Sequence, residues 1–238
     1  MIKRYLVAIC TYNEGEKIKR VIKKFNDYDL YDVLIVDDGS SDDSLKYMPR
    51  NLPIEIIVNA SQKGAGYATR QTIDYAKEKG YFGIIFVSGN DKEDPDDAAK
   101  LVEAIEEGYD FVQGSRYLPG GDYQKMPFYR IIATKWIHPF LFSMIAGMRI
   151  TDSTNGFRAM RLSIMDNEHL DLNEQWLDQY ELEPYLFYKV IELEYKVTEV
   201  PVKKIYPPKV QGYTKMKPFI GWWSILKPLI YIMFKVKK

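Results

Sequence analysis

One cysteine, Cys10, stands in 238 residues. A lone thiol excludes internal disulfides and a cysteine-ligated metal cluster, and it suits a reducing, cytoplasmic setting. The N-terminus also lacks the charged-then-apolar pattern of a signal peptide. Net charge is absent: 33 Lys plus Arg balance 33 Asp plus Glu. No global field then draws the chain to nucleic acid, no nucleic-acid partner is expected, and any basic site must be local. There is no internal repeat and no low-complexity tract. A membrane span needs about 20 mostly apolar residues, and the richest stretch, 128–148, is interrupted by Arg130, Lys135, His138 and Pro139. Two nucleotide signatures are missing as well, the Gly-x-Gly-x-x-Gly turn after the first strand and the Gly-Lys-Ser/Thr of a P-loop.

What is present is organised around Asp32 to Asp43, Asp-Val-Leu-Ile-Val-Asp-Asp-Gly-Ser-Ser-Asp-Asp. Val33 to Val36 are apolar on both faces, as a central parallel strand between helices should be. The run stops at Asp37, Asp38, Gly39 and Ser40, so carboxylates sit at its carboxyl end, where ligands bind in an open α/β sheet. A plain turn with Ser41 or Asp42 as helix N-cap reads equally from these residues. Strand, polar loop and helix then recur. Tyr5 to Cys10 is a strand, and after Thr11, Tyr12, Asn13 and Glu14 comes a helix with Ile18, Val21, Ile22 and Phe25 in one stripe. Those loop residues suit a base and ribose better than a pyrophosphate.

Ile54 to Val58 is a third strand, followed by Lys63-Gly64-Ala65-Gly66 and a helix with Ala68, Thr72, Ile73 and Ala76 on one face. That glycine-rich loop, with Lys63 and with Arg70 one turn inside, either approaches a phosphate or merely permits the turn. Phe82 to Val87 is a fourth strand. Asp94 caps the next helix with Pro95 at its first position. Asn90 and Asp91 precede that cap and offer oxygen ligands for Mg²⁺ or Mn²⁺ at the rim that carries Asp38. Phe111 to Gln113 is a fifth strand, and Arg116 just beyond it offers a bidentate partner for a phosphate or a carboxylate. The alternation implies a mostly parallel α/β sheet with right-handed crossovers.

Five motifs then arrive in register: Thr-Tyr-Asn-Glu at 11–14, Val-Asp-Asp-Gly-Ser-Ser-Asp at 36–42, Lys-Gly-Ala-Gly at 63–66, Gly-Ser-Arg-Tyr at 114–117 and Asp-Ser-Thr-Asn-Gly-Phe-Arg at 152–158. Over residues 5–216 the chain resembles family 2 glycosyltransferases, in particular dolichol-phosphate mannosyltransferase and related polyprenyl-phosphate sugar transferases. The resemblance implies a GT-A fold, a nucleotide-sugar donor of the GDP-mannose or UDP-glucose type, inversion at the anomeric carbon and a polyprenyl (dolichyl) phosphate acceptor. By position, Thr11, Tyr12, Asn13, Glu14, Val36, Asp38 and Lys63 fall to the nucleotide sugar. Ser88, Gly89 and Asn90 fall to the metal and diphosphate motif, with Asp91 beside it as a catalytic carboxylate or metal ligand. Arg116, Arg130 and Arg158, with Lys209 and Lys215 around Gly212 in a basic loop, fall to the acceptor phosphate.

The chain departs from that family twice. Cys10 stands where proline is usual, and Ser88-Gly89-Asn90 stands where Asp-x-Asp is usual, which weakens any bound Mg²⁺ or Mn²⁺. Lys92 supplies nearby positive charge. Residues 128–150 read either as amphipathic helices at a bilayer surface or as a core hairpin, with His138 structural. Glu181 to Tyr195 reads as an amphipathic helix and Val197 to Ile205 as a strand. Residues 217–238, with Trp222, Trp223, Tyr231, Phe234 and terminal lysines, read either as an interface anchor or as a packed helix. The expectation is a peripheral enzyme at the cytoplasmic face of a membrane; the sequence leaves open whether a membrane-protein subunit is needed. Two rivals stand beside it: transfer to a hydroxyl of a glycan or lipid-linked saccharide, with Asp91 or Asp152 as base, and a non-catalytic nucleotide-sugar binding module.

Overall fold

The structure, a computed structural model, describes residues 4–26, 31–49, 53–206 and 220–234. In chain order come β1 (Tyr5–Thr11), α1 (Glu16–Asn26), β2 (Tyr31–Asp37), β3 (Ile54–Val58), α2 (Ala65–Glu78), β4 (Gly83–Ser88), α3 (Pro95–Glu106) and β5 (Phe111–Ser115). The second half holds β6 (Asp122–Gln124), α4 (Phe128–Ile131), α5 (His138–Ala146), β7 (Arg158–Arg161), α6 (Leu182–Glu192), β8 (Val197–Pro201), β9 (Lys203–Ile205) and α7 (Ile220–Met233). A seven-stranded sheet runs β3-β2-β1-β4-β7-β5-β8, parallel except at β7.

The continuous apolar strands follow from burial on both faces. In β1 and β2, Leu6, Ala8, Leu34 and Val36 point to one core with α2 and α6, while Val7, Ile9, Val33 and Ile35 point to the other with α1 and α3. This is the period-two alternation of a pleated strand, with both directions dry. Burying each of the Val, Leu and Ile side chains among them contributes roughly 1.5–3 kcal/mol, so the rim loops stand on a well-packed floor. Helix α3 starts as its residues dictate: Asp94 accepts from the Asp96 amide and Pro95 opens the first turn.

Three features differ from the sequence reading. Strand β7, Arg-Ala-Met-Arg, is too short and too charged to stand out, yet it slots antiparallel between β4 and β5. The single strand expected over Val197 to Ile205 splits. Its first half pairs with β5, whereas the Lys203 amide turns to the Asp97 carboxylate at 2.6 Å and β9 pairs with β6 instead. Residues 128–146 form no hairpin but one helical run, because a π-helical stretch at Ile132–Ile137 widens the backbone directly before Pro139. A proline ring otherwise clashes with the carbonyl four residues back.

Along that run Phe128, Ile132, Trp136, Phe140 and Met144 are exposed at four-residue spacing, while His138, Pro139 and Phe142 are buried. Helix α7 packs on α5 and α6, burying Leu229 and Ile232 and leaving Trp223, Met233 and Phe234 exposed. Trp222's side chain and Lys235, Lys237 and Lys238 lie outside the described residues. Among the described residues, no helix is long and apolar enough to cross a membrane.

Candidate active site

The parallel register brings three strand ends together. Thr11 lies opposite Asp37, and Cys10 opposite Ser88, so the loops after β1, β2 and β4 share one rim. They are stitched to one another. Asn13, left-handed at φ 51°, accepts from the amides of Ser41 (2.7 Å) and Asp42 (3.2 Å), and its own amide donates to the Ser40 hydroxyl. Gly89 presses against Thr11: a Cβ there would stand 2.6 Å from the Thr11 hydroxyl oxygen. Three buried oxygens at this rim have no hydrogen-bond partner among the described residues: Thr11 Oγ1, Asp37 Oδ2 and Asn90 Oδ1. Buried polar atoms are ordinarily paired, and a ligand with hydroxyl or amide donors would satisfy these.

Other nucleotide-site candidates are differently employed. The Asp38 carboxylate is buried and accepts from Asn59 Nδ2 (3.1 Å), the Lys63 amide (2.9 Å) and the Gly64 amide (2.8 Å). The amides of the glycine-rich loop thus hold a carboxylate of the same chain, and of its two readings the turn is the one seen. Gly64, at φ 122°, lies where a Cβ would overlap the Asp178 carbonyl and the Gln179 side chain. Arg70 pairs with Asp178, and the Lys63 ammonium stands 5.4 Å from the Tyr67 ring. Val36 is fully buried in the core. Tyr12 and Glu14 stay half-buried at the rim, Glu14 bonded to Lys17 at 3.2 Å.

The arginines separate into two kinds. Arg116 is buried and bidentate to Asp152, Nε to Oδ2 at 2.6 Å and Nη2 to Oδ1 at 2.7 Å, with Nη2 also donating to Thr154. Burial alone would pull its pKa down, but Asp152 outweighs it and raises the pKa above the usual arginine range. Of the two partners open to Arg116, the protein supplies a carboxylate, so its fork does not face an acceptor phosphate. Arg158 is also buried, donating to the Asn155 carbonyl (2.6 Å) and to Glu183, and burial lowers its pKa. It too is structural. Arg130 is half-buried, stands 5.5 Å over the Tyr206 ring and makes no salt bridge among the described residues. On the same ring, 4.8 Å away, sits Lys92, whose pKa is lowered to about 7 by burial first and by Lys204 second. Lys204 itself bonds Glu93 (2.7 Å) and Asn155 (2.9 Å). Lys209 and Lys215 lie outside the described residues.

Sequence reasoning missed Tyr206, which no motif marks, and the pairing of Asp152 with Arg116, although both partners lie in quoted motifs. It also placed Asp91 as base or metal ligand. The structure instead holds that carboxylate, at φ 60°, between Arg20 Nε (2.6 Å) and Lys24 Nζ (2.7 Å) of α1. Mg²⁺ in nucleotide sites is ordinarily held by one or two carboxylates besides phosphates. Here Ser88 and Asn90 are neutral, Asp91 is claimed by two cations, and among the described residues no three His, Cys, Asp or Glu side chains are placed to hold a metal ion. The loop after β4 therefore offers a divalent cation only neutral oxygens, while Asp37 Oδ2 at the same rim is a carboxylate oxygen without a partner among the described residues.

Comparison with known proteins agrees with the fold. The glucosyl-3-phosphoglycerate synthase of Mycobacterium tuberculosis, solved with Mn²⁺, UDP and glucosyl-3-phosphoglycerate, superposes with a TM-score of 0.72, covering 98% of this chain and 79% of that one at 14% identity. That likeness shows the GT-A-like fold. The polyprenol monophosphomannose synthase of Mycolicibacterium smegmatis is 28% identical over 221 residues, covering 90% of this chain and 81% of that protein. The undecaprenyl-phosphate mannosyltransferase of Micrococcus luteus is 26% identical over 204 residues, 84% of this chain and 82% of that one. The family model "Glycosyl transferase family 2" matches residues 6–170. The chain therefore belongs to glycosyl transferase family 2 and is a glycosyltransferase, which sets aside the reading as a non-catalytic binding module.

Proposed function

We propose that the chain moves a hexose from a nucleotide diphosphate sugar to the phosphate of a polyprenol at a membrane surface, with inversion at the anomeric carbon. A phosphate oxygen attacks that carbon, forming the new C–O bond as the bond to the nucleotide's β-phosphate oxygen breaks and the nucleoside diphosphate leaves. The carrying observation is the fate of the carboxylates. A hydroxyl acceptor must lose a proton to a general base, and the two bases that rival would use are engaged, Asp91 by Arg20 and Lys24 and Asp152 by Arg116. A phosphate monoester needs none, being already largely dianionic near neutrality with a second pKa of about 6. Arg130 offers such a dianion a guanidinium at the start of the helical run whose outer stripe is apolar. The names of the two relatives, both built on polyprenol-type acceptors, support the same acceptor class.

The test is transfer of radiolabelled sugar from GDP- and UDP-sugars to a short-chain polyprenyl phosphate and, in parallel, to the dephosphorylated polyprenol. Product is expected from the phosphate alone. Equal transfer to the alcohol would overturn the phosphate-acceptor reading in favour of a hydroxyl acceptor.

A further inference from the structure

Two cations of the helical run meet no carboxylate among the described residues, and both are seated on aromatic rings that lead to the end of β5. We infer that Lys135 joins Arg130 in holding the phosphate of the lipid acceptor. The inference rests on the acceptor being a polyprenyl phosphate and deepens that reading.

Placement supports it first. The Lys135 ammonium lies 5.6 Å from the Tyr117 ring, 5.5 Å from the Tyr123 ring and 5.8 Å from the Trp136 ring. Tyr117 directly follows Arg116, whose guanidinium stands 5.2 Å from that ring and donates through Nη1 to the Tyr206 hydroxyl at 3.4 Å, while the Tyr206 ring carries Arg130 at 5.5 Å. The order through space is therefore Lys135, Tyr117, Arg116, Tyr206, Arg130. Asp152 neutralises the middle cation, whereas the Lys135 and Arg130 side chains at the two ends make no hydrogen bond or salt bridge among the described residues.

The backbone then explains how both cations reach one side of the run. In an α-helix, a residue five positions on points well away from its predecessor. Ile132–Ile137 is π-helical instead, with the His138 amide donating to the Ala133 carbonyl, and the wider turn brings Lys135 round to the side of Arg130. The Thr134 hydroxyl donates to the Arg130 carbonyl at 2.8 Å and pairs with the Tyr117 hydroxyl at 2.6 Å, so the ring that seats Lys135 also pins this turn to the end of β5. A cation–π seat leaves the ammonium its donor hydrogens. Unmatched positive charge in a half-buried place is costly, and a phosphate dianion would relieve it at both ends. Lys135 is half-buried between Trp136, a member of the exposed apolar stripe, and Tyr117 at the rim, which is where an apolar tail and its phosphate would part. Tyr117 and Tyr123 are positioning residues; Lys135 is the group that touches the phosphate.

Calorimetric titration of the full chain with a short-chain polyprenyl phosphate, and with the matching polyprenol, tests this without any transfer step. Wild type is expected to bind the phosphate at least about tenfold more tightly than the alcohol. Lys135→Met should weaken phosphate binding by roughly tenfold, leave GDP and UDP binding unchanged and keep the melting temperature, because no ion pair is lost. Lys135→Arg should restore most of the loss, and added salt should weaken phosphate binding more in wild type than in Lys135→Met. Equal phosphate affinity in Lys135→Met, no binding of the phosphate by wild type, or equal binding of phosphate and alcohol would each overturn the inference. So would a loss confined to sedimentation with phosphatidylglycerol vesicles, which would assign the ammonium to the bilayer's own lipids. Transfer to the phosphate alone, together with an unmoved affinity in Lys135→Met, would remove Lys135 and leave the acceptor reading standing.

Discussion

At the scale of single residues, the site contrasts two arginines that look alike in sequence. Arg116 and Asp152 form a buried bidentate pair whose loss on one side strands a charge in a dry environment. Breaking such a pair costs about 3–5 kcal/mol. Arg116→Ala should therefore lower the melting temperature sharply, and Arg116→Lys should recover only part of it because the planar fork is gone. Arg130 is half-buried and bonded to no carboxylate among the described residues. Arg130→Ala should leave the melting temperature within a few degrees of wild type while removing most transfer to lipid phosphate. Parallel melts and transfer assays on the two variants check both halves; a thermally silent Arg116→Ala would refute the structural role assigned to the pair.

At the scale of elements, the join between α5 and α7 carries a pH dependence. His138 Nδ1 bonds the Ser153 hydroxyl at 2.7 Å and Nε2 faces the Ile225 carbonyl of α7 at 3.4 Å, with Asp152 close enough to favour its charged form. Burial outweighs both and lowers its pKa from 6.5 to about 4. The unfolded chain takes up a proton as pH falls through 6.5 while the folded one resists until about 4, so stability is full above 6.5 and drains away between those values. The loss should reach about 2 kcal/mol at pH 5. Denaturant melts at pH 7.5 and 5.0 should show it, and His138→Gln, which keeps hydrogen-bonding capacity without a titrating ring, should flatten this contribution. An unchanged pH difference in that variant would place the effect elsewhere.

At the scale of the whole molecule, the exposed apolar side chains gather on two neighbouring elements. The stripe Phe128, Ile132, Trp136, Phe140 and Met144, the Trp223 and Met233 side chains of α7, and Phe234 just after it all face water, and Lys135 lies 5.8 Å from the Trp136 ring. Exposed apolar side chains clustered on an element mark an interaction face, and aromatics beside lysine suit the headgroup region of an anionic bilayer. A polyprenyl phosphate acceptor would come from that side. Trp136→Asp combined with Phe140→Asp should release the protein from anionic liposomes in sedimentation while nucleotide binding is kept. Undiminished sedimentation would mean that another surface carries the attachment.

The sequence by itself determined the alternation of strands and helices, the buried strand ending in Asp37 and Asp38, the cap at Asp94 and Pro95, and the family, because each is written in local pattern or in motifs of fixed spacing. Even the replacement of Asp-x-Asp by Ser88-Gly89-Asn90 is local. Tertiary structure decided what the polar groups at the rim do. Whether Arg116 meets a phosphate or a carboxylate depends on Asp152, 36 residues away. Whether Asp91 is a ligand depends on α1, and whether Lys92 stands beside Arg130 depends on Tyr206 coming between them. The short strand β7 and the split of β8 from β9 belong to the same class, since pairing partners and the Asp97 carboxylate settle them. Side-chain charges act over a few ångströms of space, and only the packed chain fixes which of them are neighbours.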